Sequence, residues 1–344
     1  MFAFSRYRFN LFYVSLVVVL LISTPCASQQ LVPDESISKI EKAEVKWLSQ
    51  WPSPESKNQK KEVKEQIKDF LIGKKKQDLV RPVSMIETAP NTYWILDQES
   101  HNVFQVVNNL SSVPRFLEKK SELFSSLVGI CKFRENEILF TDSYSNKLFV
   151  VNPDKKECKI LNDSLKLSKL TGIAYSSVTK EIWAIETGEH RIVVLNEKGK
   201  VLRYIGKRGR EKREFNFPTH IWIDKTGKAY VVDAMNFRVQ VFNKEGEVIS
   251  VFGSNGDATG YLASPKGIAT DSYGHIYLAD ALSQVIQVFD IYGNFLYRFG
   301  SQGQGEGQFW MPSGLYIDEN DKIIVADSYN SRIQVFQLIT GGAK

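Results

Sequence analysis

Residues 313–336 read SGLYIDENDKIIVADSYNSRIQVF, and the chain repeats that phrase. It returns as KGIATDSYGHIYLADALSQVIQVF at 266–289 and as THIWIDKTGKAYVVDAMNFRVQVF at 219–242. Looser copies start at Thr171 (TGIAYSSVTKEIWAIETGEHRIVVL) and run from Val128 to Val151, and the most worn copy surrounds YWILDQESHNVFQVV. One acid closes the central run of every copy: Asp97, Asp142, Glu186, Asp233, Asp280 and Asp327, spaced 45, 44, 47, 47 and 47 residues apart.

A fixed period of 40–50 residues marks a repeat architecture, and a unit of several short strands at that length is a propeller blade. Each unit reads as four strands. In the fifth copy these are the runs at Gly267-Ile268-Ala269, Ile276–Ala279, Ile286–Phe289 and Phe295–Phe299, parted by turns at Tyr273-Gly274 and Tyr292-Gly293-Asn294. β-Branched and aromatic residues between Gly, Asn and Asp punctuation favour strands and tight turns. One such sheet cannot bury both faces alone, whereas a ring of six can. The expected fold is therefore all-β, a six-bladed β-propeller over 82–344. Up-and-down order puts the turn after each second strand and the link to the next blade on one face of the disc, here called the link face.

The pattern Pro-x-Gly-Ile-x-x-Asp-x-x-Gly-x-Ile-Tyr-x-Ala-Asp, then Ile-Gln-Val-Phe and a later Phe-Gly, resembles the NHL repeat. The resemblance covers roughly residues 82–340 and is strongest in copies four to six. It specifies fold and leaves function open.

The amino-terminal 81 residues do not carry the repeat. Arg6 and Arg8 precede an apolar run from Leu11 to Ile22, and small residues follow. That order is expected of an export signal over 1–28, and the run is short for a bilayer span of about 20 residues. Cys26 stands where a bacterial lipoprotein carries its lipid, but Pro25 and Ser23 depart from the usual pattern. Lipidation, ordinary cleavage near Ala27 or Ser28, and a retained anchor all stay open. The expected location is exported: periplasmic, envelope-associated or secreted.

Residues 29–81 form an extension. Lys61 to Ile72 has Val63, Ile67, Phe70 and Leu71 on one helical face, with Gly73 placed as a C-cap. That predicts a short amphipathic helix. The sixth copy ends at IQVFQLITGGAK without a fourth strand, so a strand from the extension is expected to close the ring. Trp47–Trp51 is the first candidate and Phe70–Ile72 the second.

The net charge of +5 is no property of the ring, in which 30 basic and 30 acidic residues balance. Cys131 and Cys158 fall by repeat phase on the innermost and outermost strands of blade two, too far apart to bridge.

The recurrent Asp-x-x-Asn-x-Arg, as at Asp327–Arg332, reads best as turn capping shared by every blade. Candidate binding residues lie where the repeat breaks. Lys207, Arg208, Arg210, Lys212 and Arg213 make the link between blades three and four basic. His220 replaces the inner-strand Gly of copy four, and Trp222 follows it. With Tyr329 and Arg332 these residues are expected near the link face, as a rigid contact surface for a protein or an anionic envelope component. A neutral ring and an export signal argue against nucleic acid. The ring is expected to be monomeric, with membrane contact open through 1–28.

The rival reading is a metal-dependent propeller enzyme of the lyase or lactonase type. Zinc needs three or four N, S or O ligands. Of the four His residues (His101, His190, His220 and His275) only His220 has inner-strand phase. The chain has no Gly-x-Ser-x-Gly, His-Glu-x-x-His or Cys-x-x-Cys. The expectation is a non-enzymatic binding or scaffold protein without metal or cofactor.

Overall fold

A computed structural model of the chain describes residues 44–53, 78–108 and 110–339. The export signal, Cys26 and the amphipathic stretch Lys61 to Ile72 lie outside the described residues.

The described chain is a ring of six four-stranded antiparallel sheets, each in simple up-and-down order. The inner strands, which line the axis, are Pro82–Ala89, Leu127–Lys132, Leu170–Ser176, Pro218–Ile223, Pro265–Thr270 and Pro312–Ile317. Each begins at the link face and ends at the opposite face, where hairpins join first strands to second and third to fourth. That second face is the hairpin face.

Second strands are the most apolar and the most deeply buried. Ala229–Asp233 and Ile276–Asp280 are buried at all five positions. Outer strands alternate, as Phe295–Phe299 does between half-buried and exposed. The gradient follows from packing. A second strand has blades against both faces, which favours continuous Val, Ile, Leu and Ala, while an outer strand meets solvent.

The phase acids are turn anchors. Asp97, Asp142, Asp233, Asp280 and Asp327 are fully buried and Glu186 nearly so. Asp142 accepts N–H bonds from Ser126, Tyr144 and Ser145. Asp233 and Asp327 add an ion pair to Arg238 (2.8 Å) and Arg332 (2.7 Å). In this way the acid ties its own turn to the link that feeds its blade.

The sixth blade takes its outer strand from the other end of the chain. Glu44–Trp51 pairs antiparallel with Arg332–Ile339, in register from Glu44 opposite Ile339 to Trp51 opposite Ile333, with one bulge between Trp47 and Ser49. Trp47 Nε1–H donates to Gln334 Oε1 at 3.0 Å, and Trp51 is 8% exposed. Of the two closing segments read from the sequence, this one makes the pairing.

Around the axis the inner strands approach backbone to backbone at one level, the ring of Ser84, Gly129, Gly172, His220, Gly267 and Gly314. A Cβ on Gly267 would lie 2.3 Å from the Ser313 carbonyl oxygen and 2.6 Å from the Leu315 nitrogen. No side chain fits there without moving the neighbouring blade. Gly267→Ala is therefore expected to cost about 2–3 kcal/mol through overpacking. A urea-unfolding series checks it, and an unchanged midpoint would refute the close approach.

Candidate functional site

Above the glycine ring the axis widens into a funnel of about 660 Å³ that opens on the hairpin face. All six inner strands contribute to its wall. Two residues past the ring stand Ile86, Cys131, Ala174, Trp222, Ala269 and Tyr316, all of which line the funnel except Ala269, which is buried in the core.

Trp222 donates Nε1–H to Thr270 Oγ1 of the next blade at 3.0 Å. Its ring meets Tyr316 across the axis, edge to face, with centroids 5.8 Å apart and planes at 76°. The Tyr316 hydroxyl donates to the Glu87 carbonyl at 3.3 Å, and burial together with nearby carboxylates pushes its ionisation up. From blade two, the Lys132 ammonium lies 5.8 Å from the centre of the Tyr316 ring. Blades two, four and six thus meet in one cation–aromatic group, a contact that strengthens as water is excluded.

The acidic residues at the mouth are committed to their own hairpins. Asp224 accepts from the Thr226 and Lys228 N–H groups and from the Thr226 and Tyr230 hydroxyls. Asp271 holds the Tyr273 and His275 N–H groups, the His275 ring at 2.7 Å and the Tyr277 hydroxyl. Asp318 takes the Asn320 and Lys322 N–H groups and lies 3.5 Å from the Lys322 ammonium.

The candidates read from the sequence divide between two faces. His220 and Trp222 line the funnel. Trp222 was expected near the link face. The strand Pro218–Ile223 starts there, and four residues on it has crossed the ring, so the indole lies on the far side. His220 stands at the ring itself, with Nδ1 3.0 Å from Thr219 Oγ1. Burial, then the Lys266 charge, drives its protonation down to about 3, so the imidazole is neutral at ordinary pH. Burial likewise pushes the Cys131 thiol up, which keeps it protonated.

Lys207, Arg208, Arg210, Lys212 and Arg213 are exposed on the link. The loop itself is held in place. Glu214 accepts the Arg210 and Glu211 N–H groups and pairs with Lys207 at 3.2 Å, and Arg238 reaches the Arg210, Glu211 and Glu214 carbonyls. Tyr329 is half exposed on the same face beside Trp310, with ring centroids 5.9 Å apart. Arg332 is only 4% exposed and spends its donors inside, on Asp327, Gln50, Gly305 and Gln308. It is a structural residue and leaves the candidate set. His190 and His275 also serve their own surroundings: His190 Nδ1 accepts the Phe217 N–H at 3.0 Å, and His275 pairs with Asp271.

Among the described residues, no three His, Cys, Asp or Glu side chains converge. The residues around His220 therefore do not fit the zinc set of the rival reading.

Lys132, Tyr316 and Thr270 were missed in the sequence. The signal for Tyr316 was available, since it breaks the small-residue pattern at the same phase as Trp222. Nothing local marks Lys132.

A family model for the NHL repeat matches residues 309–336. No curated protein sequence matches the chain. Among solved structures, the chain is similar to virginiamycin B lyase from Staphylococcus aureus, at 14% identity and a TM-score of 0.56, over 76% of this chain and 98% of that one. It is also similar to an auxiliary nutrient binding protein from Bacteroides thetaiotaomicron VPI-5482, at 13% identity and a TM-score of 0.60, over 76% and 70%. A protein of the same description from Bacteroides ovatus ATCC 8483 gives the same identity, TM-score and coverage. At these identities the likeness is one of fold. The chain carries an NHL repeat and is a six-bladed β-propeller.

Proposed function

We propose that this NHL-repeat propeller is a non-enzymatic binding protein, and that the funnel on the hairpin face holds its ligand. The observation that carries this reading is the 660 Å³ cavity walled by all six blades, with Trp222 and Tyr316 meeting across the axis. Small-molecule sites are typically concave, about 300–1,000 Å³, and mostly apolar with a few placed polar groups. Ligands of a closed ring meet a wall already ordered by folding, so little entropy is lost on binding.

The side chains in the funnel suit holding better than cleaving. Among the described residues Cys131 has no base at hydrogen-bond distance, and the His220 ring meets Thr219 rather than a carboxylate. The link face, with Trp310, Tyr329 and the basic loop, offers exposed groups. The nutrient-binding description of two fold neighbours is consistent with this reading.

Native mass spectrometry of the full chain against a library of solutes of roughly 200–500 Da, sized to such a cavity, tests the proposal. The expected result is one-to-one binding of a subset of them, lost in Trp222→Ala and kept in Trp310→Ala and Tyr329→Ala. Binding that survives Trp222→Ala but fails in the link-face variants would move the site to the other face. A folded wild-type chain that retains no solute would overturn the reading.

A further inference from the structure

We propose that the funnel takes a ring-bearing organic anion, with its flat face against Trp222 and its anionic group on the Lys132 ammonium. This rests on the funnel being the binding site.

The balance of partnered and unpartnered groups in the wall supports the assignment. Three of its four acidic residues, Asp224, Asp271 and Asp318, have their oxygens engaged by turn N–H groups and side-chain donors. The fourth, Glu319, is exposed on the rim. Lys132, by contrast, is exposed and has no carboxylate within ion-pair distance among the described residues, and its ammonium lies 5.8 Å from the centre of the Tyr316 ring. Lys225 and Lys228 stand exposed on the lip of blade four, also without ion pairs among the described residues. Three exposed ammonium groups around one mouth without counter-charges, that of Lys132 beside the Tyr316 ring, favour an anion that brings one, through a charge-assisted hydrogen bond.

The ring requirement comes from the platform. Tyr316 is 6% exposed and already covered by Lys132, whereas Trp222 is half-buried and fixed by its bond to Thr270. A fixed, half-open indole offers a flat apolar surface, and planar partners stack on it or meet it edge to face. Below, the neutral His220 ring presents Nε2 without a partner among the described residues, so the floor adds a polar group without adding charge.

The test uses the full chain and three probes of one shape: 2-naphthoate, its neutral carboxamide, and 2-naphthylmethylammonium, titrated by calorimetry at low salt. The expected result is 2-naphthoate binding at least tenfold tighter than the carboxamide. That preference should vanish in Lys132→Met, which keeps the aliphatic stem, and survive in Lys132→Arg. Trp222→Phe should weaken naphthoate and carboxamide alike. Equal binding of all three probes would overturn the anion assignment while leaving the funnel as a binding site. Preference for the ammonium probe, or an anion preference that persists in Lys132→Met, would overturn it too. So would failure of all three probes to bind a chain that still takes up library solutes.

Discussion

A chain that begins at Pro52 is expected to lose cooperative folding and to associate, while one that begins at Lys42 keeps a single transition. The strand removed is the outer edge of blade six. Its loss uncovers the ladder from Ile333 to Ile339 and strips Trp51 from the core and Trp47 from Gln334. Burying a large apolar side chain contributes about 1.5–3 kcal/mol. Two tryptophans, one half-buried, with the hydrogen bonds of an eight-residue strand, make a loss of about 5 kcal/mol. A domain holds only about 5–15 kcal/mol in total. The exposed edge is also a template for pairing with another copy. Thermal unfolding with size-exclusion chromatography checks the outcome. A monomeric ring with an unchanged transition would show that the terminal pairing is not what closes it.

The second large effect is Arg332→Ala, at about 3–5 kcal/mol, the range for leaving one partner of a buried ion pair alone. Arg332 bonds Asp327 at 2.7 Å and extends to Gln50 in the closing strand and to the Gly305 and Gln308 carbonyls in the link. Its guanidinium joins three separate segments. Lysine cannot reproduce that fork, so Arg332→Lys should recover only part of the loss. Tyr329→Ala, three residues earlier and half exposed, should stay within about 0.5 kcal/mol. Denaturant midpoints of the three variants decide it. A small effect at Arg332 would return that residue to the exposed candidates.

The comparison between Arg332 and Trp222 shows what a repeat makes legible. Spacing of the phase acids was enough to place six blades, because each acid does the same local work in its own turn. It also marked Arg332 as part of a shared turn device, and in that role the side chain uses four of its five N–H donors. Trp222 was visible as a break in the pattern, but its face was not. That depends on the strand crossing the ring in four residues, a matter of geometry along the axis. The site as a group could not be read in the chain at all. Lys132, Trp222 and Tyr316 are each about ninety residues apart and belong to blades two, four and six. Only ring closure brings them together.

The joint between Glu44–Trp51 and Arg332–Ile339 also sets a schedule. Trp47 and Gln334 are 287 residues apart. At roughly 5–20 residues per second, the first half of that joint waits about 15–60 s on the ribosome before its partner exists. Until then the blades at the two ends of the arc each lack a neighbour on one side. Contacts this distant in sequence also slow folding after release. The nascent chain therefore spends its whole synthesis as an open arc, and anything that keeps it apart from other chains acts in that interval.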